Sequence, residues 1–290
     1  MTRFAVKQTI ERLDELARQI ERCRETGDAE SVHDLRVATR RLQSCLKTFG
    51  DFFPNRLVRK TERRLRRVRA LAGRVRDCDI ALGMASESGH PNEQLLRHLR
   101  DRRRAQAASL AAQLQRWPKL GSFERLRRSL RLHRASGDKT RRACRWDARR
   151  SAAANARKEL PLLCSKFFRD GRKLLYRSCE DSKLHRFRIR AKRFRYALEL
   201  FEPCYGKGLK KRLNSLKLLQ EHLGAINDCR TTQALLNGDS AADEPDKGAA
   251  GFRSFVEKTA AQRRTAAIEL WDSQFGPRKV ERRWVKYLSR

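Results

Sequence analysis

The chain has 290 residues and carries 69 Lys+Arg against 34 Asp+Glu, a formal net charge of +35 with a pI near 11.1. Self-repulsion at that level opposes compactness, so an abundant polyanion is the natural partner. Nothing approaches 18 consecutive apolar residues, which excludes a helical membrane span. The opening MTRFAVKQTIERLDELARQI is amphipathic and lacks the apolar run of a signal peptide. Arginine outnumbers lysine 51 to 18, and its planar fork suits phosphate oxygens better than a mobile point charge does. The eight cysteines show no CxxC and no zinc-finger spacing, and read as reduced thiols of a cytoplasmic protein.

In chain order, apolar spacing predicts helices near 4–25, 31–50, 55–75, 77–87, 92–117, 121–133, 141–159, 161–178, 182–202, 207–223, 227–237 and 249–273. Gly27, Pro54, Gly73, Pro91, Pro118, Gly137, Pro161, Pro203, Gly206, Gly224 and Pro277 mark the limits. No stretch alternates with a period of two, so the expected fold is all-α.

Two stretches set the organisation. VHDLRVATRRLQSCLKTF (32–49) and LHRFRIRAKRFRYALELF (184–201) stand 152 residues apart. In the first, Leu35, Ala38, Leu42, Cys45, Leu46 and Phe49 form one apolar stripe; Phe187, Ala191, Phe194, Ala197, Leu198 and Phe201 form the other. A second pair follows: Gly73, Asp77 and Cys78 fall on Gly224, Asp228 and Cys229 at an offset of 151. Two motifs in the same order at offsets of 152 and 151 indicate an internal repeat. The expected architecture is two four-helix bundles related by a pseudo-twofold axis, 1–140 and 141–290, joined near 136–142. GDSAADEPDKGAAG (238–251) reads as a loop of the second repeat.

The faces opposite those stripes are basic. His33, Arg36, Arg40, Gln43 and Lys47 follow at three and four residues, as do His185, Arg188, Lys192, Arg195 and Glu199. Like charges at such steps repel by about 0.2–0.5 kcal/mol per pair, so stacking them in both repeats makes sense if an anion lies across them. The next helix adds Arg59, Arg63, Arg66 and Arg67 in the first repeat and Lys210 and Lys217 in the second. His33 and His185, after candidate caps Ser31 and Ser182, would sit in a first turn whose N–H groups attract anions. Anion contact is preferred there to a structural role, and metal ligation least, because neighbouring arginines repel a divalent cation. Asp77 and Asp228 read as N-caps. There is no Walker A, GxSxG, HExxH or EF-hand motif, so no catalytic residue, metal or cofactor is expected.

At these residues the chain resembles the CHAD (conserved histidine α-helical) domain family. The likeness rests on VHDLRVATRRL with RVRDCDIAL, and on LHRFRIRAKRFRYALELF with HLGAINDC. It implies two four-helix bundles and a basic surface that binds inorganic polyphosphate without catalysis. The matching positions are His33, Arg36, Arg40, Arg41, His185, Arg188, Lys192 and Arg193; Gln43 departs from the arginine common at its place, which Arg195 keeps. The leading expectation is a polyphosphate-binding protein, free in the cytoplasm or attached to polyphosphate-containing granules, whose two repeats line one groove. A non-specific nucleic-acid binder and a phosphoanhydride-processing enzyme are the alternatives.

Overall fold

The structure is a computed structural model that describes residues 1–89, 93–117, 127–128, 146–175, 180–238 and 247–290. Every regular element among them is helical: α1 (Thr2–Glu25), α2 (Ala29–Phe49), α3 (Asn55–Glu87), α4 (Glu93–Gln115), α5 (Ala152–Leu174), α6 (Asp181–Leu200), α7 (Lys207–Gly238), α8 (Lys247–Gln274) and α9 (Arg278–Leu288). A 3₁₀ turn follows α2 at Gly50–Phe52 and another follows α6 at Glu202–Cys204. Most of the expected helix 121–133, the join at 136–142 and most of the 238–251 loop lie outside the described residues.

The chain forms two compact units, Met1–Ala148 and Arg149–Arg290. In the first, α1 packs on α2, α2 on α3 and α3 on α4, and α4 returns to α1, closing a four-helix bundle. Phe49 anchors it, with Phe4 at 6.1 Å and Trp146 at 6.2 Å, edge to face. In the second, α5, α6, α7 and α8 pack in the same order, and α9 lies against α5. Its core is aromatic: Phe167 stacks on Phe194 at 4.9 Å, and Trp271 on Phe275 at 5.6 Å. Trp271 also covers Gly171, where a Cβ would come within 1.9 Å of the indole.

Several breaks expected from the sequence do not occur. Gly73 lies inside α3 and Gly224 inside α7, so 55–75 and 77–87 are one helix, as are 207–223 and 227–237. An interior glycine costs about 1 kcal/mol relative to alanine, too little to end a helix packed on both neighbours. Other expected stops do fall between helices: Gly27, at φ +58° just past α1, Pro54 before α3, Pro203 and Gly206 between α6 and α7, and Pro277 before α9; Gly89, at φ +68°, follows the end of α3. Pro161 likewise sits inside α5, buried, where packing offsets the lost backbone bond. Asp77 and Asp228 are therefore mid-helix residues, not N-caps. α9 was not expected, although Val280, Trp284 and Leu288 at four-residue steps carry its signal.

Candidate functional site

The basic faces form where α2 lies on α3, and where α6 lies on α7. Ser31 does not cap α2: Asp28 does, its carboxylate accepting from Ser31 N at 2.6 Å. Glu180 occupies the corresponding N-cap of α6, and Ser182 is inside the helix. His33 and His185 are thus each the fifth helical residue, and both helix starts already hold a carboxylate. The sites are side-chain surfaces rather than helix-terminus anion sites.

In the first unit, Arg36 reaches across to α3 and lays its guanidinium over Gly73, where a Cβ would stand 2.8 Å from Nη1. That close approach explains a glycine inside a 33-residue helix. Deeper along the same interface Arg69 Nη1 donates to Gln43 Oε1 at 3.0 Å. Lost hydration, then Arg40 and Arg66, lowers the Arg69 pKa from the arginine norm. His33 also titrates below the ordinary histidine range, through lost hydration and then Arg76, with Arg36 and Arg40 adding to it and Asp34 opposing. His33, Arg36, Arg40, Arg66, Arg69 and Arg76 therefore share one field. Arg41 turns elsewhere; its charge acts on Glu15 of α1. Lys47, Arg59, Arg63, Arg66 and Arg67 are exposed. Among the described residues, none of Arg59, Arg63, Arg66 and Arg67 has a carboxylate within ion-pair distance.

In the second unit His185 Nδ1 lies 3.1 Å from Asn227 Oδ1. An amide oxygen only accepts, so Nδ1 carries the hydrogen. His185, Arg188, Leu223, Asn227 and Arg230 line a shallow depression between α6 and α7. Burial lowers the His185 pKa; the Asn227 bond opposes that, and Arg188, Arg230 and Lys192 reinforce it. Arg195 Nε donates to Gln220 Oε1 at 2.8 Å, and Gln220 Nε2 donates to Ala191 O at 2.9 Å. Arg195 also pairs with Glu199 at 2.8 Å, both side chains largely covered. It clamps α6 to α7 rather than standing open to a ligand. Arg193 and Lys210 are exposed; Lys217, also exposed, meets Glu221 at 3.8 Å, a pairing worth little in water.

The departure at Gln43 has a structural answer. Gln43 and Arg195 are 152 residues apart, and Arg69 and Gln220 are 151 apart. The two interfaces thus hold the same Arg–Gln pair with the partners exchanged between helices. Each keeps one guanidinium and one amide. Sequence reasoning also passed over Arg76 and Arg230, whose signal was their position a few residues from the Asp77 and Asp228 motifs.

Of the remaining histidines, His98 is exposed, while His222 is partly covered and its Nδ1 is buried without a hydrogen-bond partner; His90 and His133 lie outside the described residues. Cys23, Cys45, Cys78, Cys164 and Cys229 are buried thiols, and burial pushes Cys45 up to about 12. Among the described residues, no three His, Cys, Asp or Glu side chains come together in a way that could hold a metal ion, and no helix is long and apolar enough to cross a membrane.

Two helical units, each with arginines and lysines where two of its helices meet, define an all-α scaffold, and the family follows from comparison. The CHAD domain family matches residues 7–237, so the chain belongs to that family, one associated with polyphosphate. The crystal structure of the CHAD domain from the plant Ricinus communis is similar, with a TM-score of 0.72 at 23% identity, covering 94% of this chain and 90% of that one. PptA from Streptomyces chartreusis is similar at a TM-score of 0.66 and 14% identity, covering 94% and 99%. Both likenesses speak to the fold. No curated protein sequence matches the chain.

Proposed function

We propose that the α2–α3 and α6–α7 faces bind long-chain inorganic polyphosphate without altering it. The observation that carries this reading is the row of exposed arginines, Arg59, Arg63, Arg66 and Arg67, beside the His33 cluster, with no carboxylate partner among the described residues. A stable fold gains nothing from mutually repelling cations on one helix; a phosphate chain would neutralise them. The CHAD family's association with polyphosphate selects the polyanion. Base stacking on these faces finds little support, because Phe49, Phe187, Phe194 and Phe201 are at most 4% exposed, and single-stranded nucleic acid is held largely by aromatic platforms. A chain long enough to engage both faces makes its second contact intramolecularly, at an effective concentration that reaches the millimolar range. The setting would be the cytoplasm or polyphosphate granules.

The test is competition between polyphosphate, single-stranded DNA and heparin at matched charge and salt, with a polyphosphate length series. Polyphosphate should win, EDTA should have no effect, and long chains should bind orders of magnitude more tightly than tripolyphosphate. Arg36→Glu with Arg40→Glu, or Arg188→Glu with Lys192→Glu, should each remove most of that advantage. Equal displacement by all three polyanions would reject polyphosphate as the specific ligand.

A further inference from the structure

α9 lies beyond residue 237, where the family match ends, and has no counterpart among the described residues of the first unit. It carries Arg278, Lys279, Arg282, Arg283 and Lys286, with Arg290 just after it, all exposed. The helix's acid, Glu281, is taken by Arg172 of α5 at 2.7 Å. None of the six cations has a carboxylate within ion-pair distance among the described residues.

A basic amphipathic helix of this kind would ordinarily suggest a membrane surface, but here the apolar face is already used. Trp284 packs 5.8 Å from Phe168 and 6.0 Å from Phe275, and Leu288 is fully buried. The helix is also pinned to the start of α7. Tyr205 Oη donates to Leu288 O at 2.8 Å, Tyr287 Oη donates to Gly206 O at 3.3 Å, and Arg212 stacks 3.8 Å above the Tyr287 ring. Tyr287 lies so close to Gly208 that a Cβ there would come within 2.8 Å of it. Lys207, Lys210 and Lys211 are exposed on that same opening turn of α7. A rigidly held cationic helix thus adjoins the basic start of α7, and preorganisation lowers the entropic cost of binding.

We propose that α9 extends the polyanion-binding surface of the second unit, so that a polyphosphate chain seated on α6–α7 runs past the first turn of α7 and onto Arg282, Arg283 and Lys286. This rests on the polyphosphate reading above and adds to it an asymmetry: the second unit takes a longer stretch of chain than the first.

The experiment compares three variants with wild type in polyphosphate titrations across a salt series, with circular dichroism to verify folding. One carries Arg282→Gln, Arg283→Gln and Lys286→Gln, which keep helix propensity. The control carries Arg97→Gln, Arg100→Gln and Arg104→Gln on α4, removing the same charge from the first unit. The third carries Arg188→Glu with Lys192→Glu. For long chains the α9 triple should weaken binding about tenfold or more and flatten the salt dependence by about three, roughly one for each lost phosphate contact. The α4 control should change both only slightly. In wild type, bound long-chain polyphosphate should also slow acetylation of Lys279 and Lys286. Equal losses from the α9 and α4 triples would reduce the effect to net charge and overturn the inference. An unaffected α9 triple beside a crippled α6 variant would overturn it too, while leaving the polyphosphate reading intact. Wild type that fails to bind polyphosphate would remove that reading itself.

Discussion

Gly73 and Gly224 occupy equivalent positions and should answer the same substitution differently. At Gly224 an added Cβ meets nothing within 4 Å. Gly224→Ala therefore changes backbone propensity alone, and should stabilise the second unit by about 0.5–1 kcal/mol. At roughly 2–4 °C per kcal/mol for a unit near 150 residues, that is a rise of about 1–4 °C in Tm. Gly73→Ala gains the same propensity, but its Cβ would sit 2.8 Å from Arg36 Nη1. Backbone cannot give way inside α3, whereas the tip of a flexible side chain can, so the guanidinium leaves its seat. The stability gain should shrink by the lost packing of Arg36 over the helix. Polyphosphate affinity should fall by about 1 kcal/mol, roughly fivefold, the scale of one charge-assisted contact loosened at a solvated surface. Differential scanning fluorimetry and a polyphosphate titration on both variants give the two numbers. If Gly73→Ala raises Tm as much as Gly224→Ala and leaves affinity unchanged, Arg36 does not depend on its glycine seat and the account of that site is wrong.

Three further outcomes follow from the same interfaces. Breaking one Arg–Gln pair, by Gln43→Ala or Gln220→Ala, should cost about 1–2 kcal/mol, whereas the exchange Gln43→Arg with Arg69→Gln should recover most of the loss; a double variant worse than its single members would refute equivalence of the two pairs. His33 and His185 titrate below the ordinary value in the free protein, and bound phosphate, by offsetting the surrounding arginines, raises them. The complex then holds more protons than its parts, so affinity should rise as pH falls from about 7 towards 5, with proton uptake visible by calorimetry in buffers of different ionisation heat; persistence of that uptake in a His33→Gln, His185→Gln protein would acquit the histidines. Gly171→Ala should destabilise the second unit by more than 3 kcal/mol, as overpacking against buried Trp271 allows no escape, and a folded variant with native Tm would contradict the core described above.

The sequence displays its helices clearly because a 3.6-residue stripe needs no partner to be recognised. Leu35, Leu42 and Phe49 on α2, and Phe187, Phe194 and Phe201 at the other face, are all buried. What it hides is anything decided between helices. Gly73 looks like a stop until Arg36 is seen lying on it, and Pro161 looks like one until the ring is found buried. Gln43 looks like a lost contact because its compensating partner, Arg69, is 26 residues further along. Ser31 and Ser182 resemble caps by residue type, but Asp28 caps α2, and Glu180 holds the N-cap position of α6. α9 is only 11 residues long, and a stripe of Val280, Trp284 and Leu288 spans barely two turns, too short to stand out beside six cations.

The distribution of carboxylates separates cations held in ion pairs from cations that have none among the described residues. In the first unit several acids join helices: Asp34 and Glu30 of α2 hold Arg22 of α1, Asp79 of α3, its side chain 6% exposed, holds Arg103 of α4 at 2.6 Å, and Asp14 holds Arg127, while Glu21 holds Arg24 within α1. Arg24 in addition donates to the carbonyls of Leu114 and Trp117, tying α1 to the end of α4. In the second unit Asp170 holds Arg190, Glu281 holds Arg172 and Glu199 holds Arg195. These pairs consume arginines that would otherwise add to the repulsion. The outer row of α3 and the outer face of α9 receive no such partner among the described residues. A surface evolved only for solubility would intersperse both signs; here the arginines of the outer α3 row stay without an ion-pair partner among the described residues although Glu62 stands on the same helix, and the acid of α9, Glu281, turns to Arg172. Mutually repelling cations cost stability in the free protein; on the polyphosphate reading proposed above, an anion that binds only the folded state would return about 2.7 kcal/mol at a hundredfold excess over Kd.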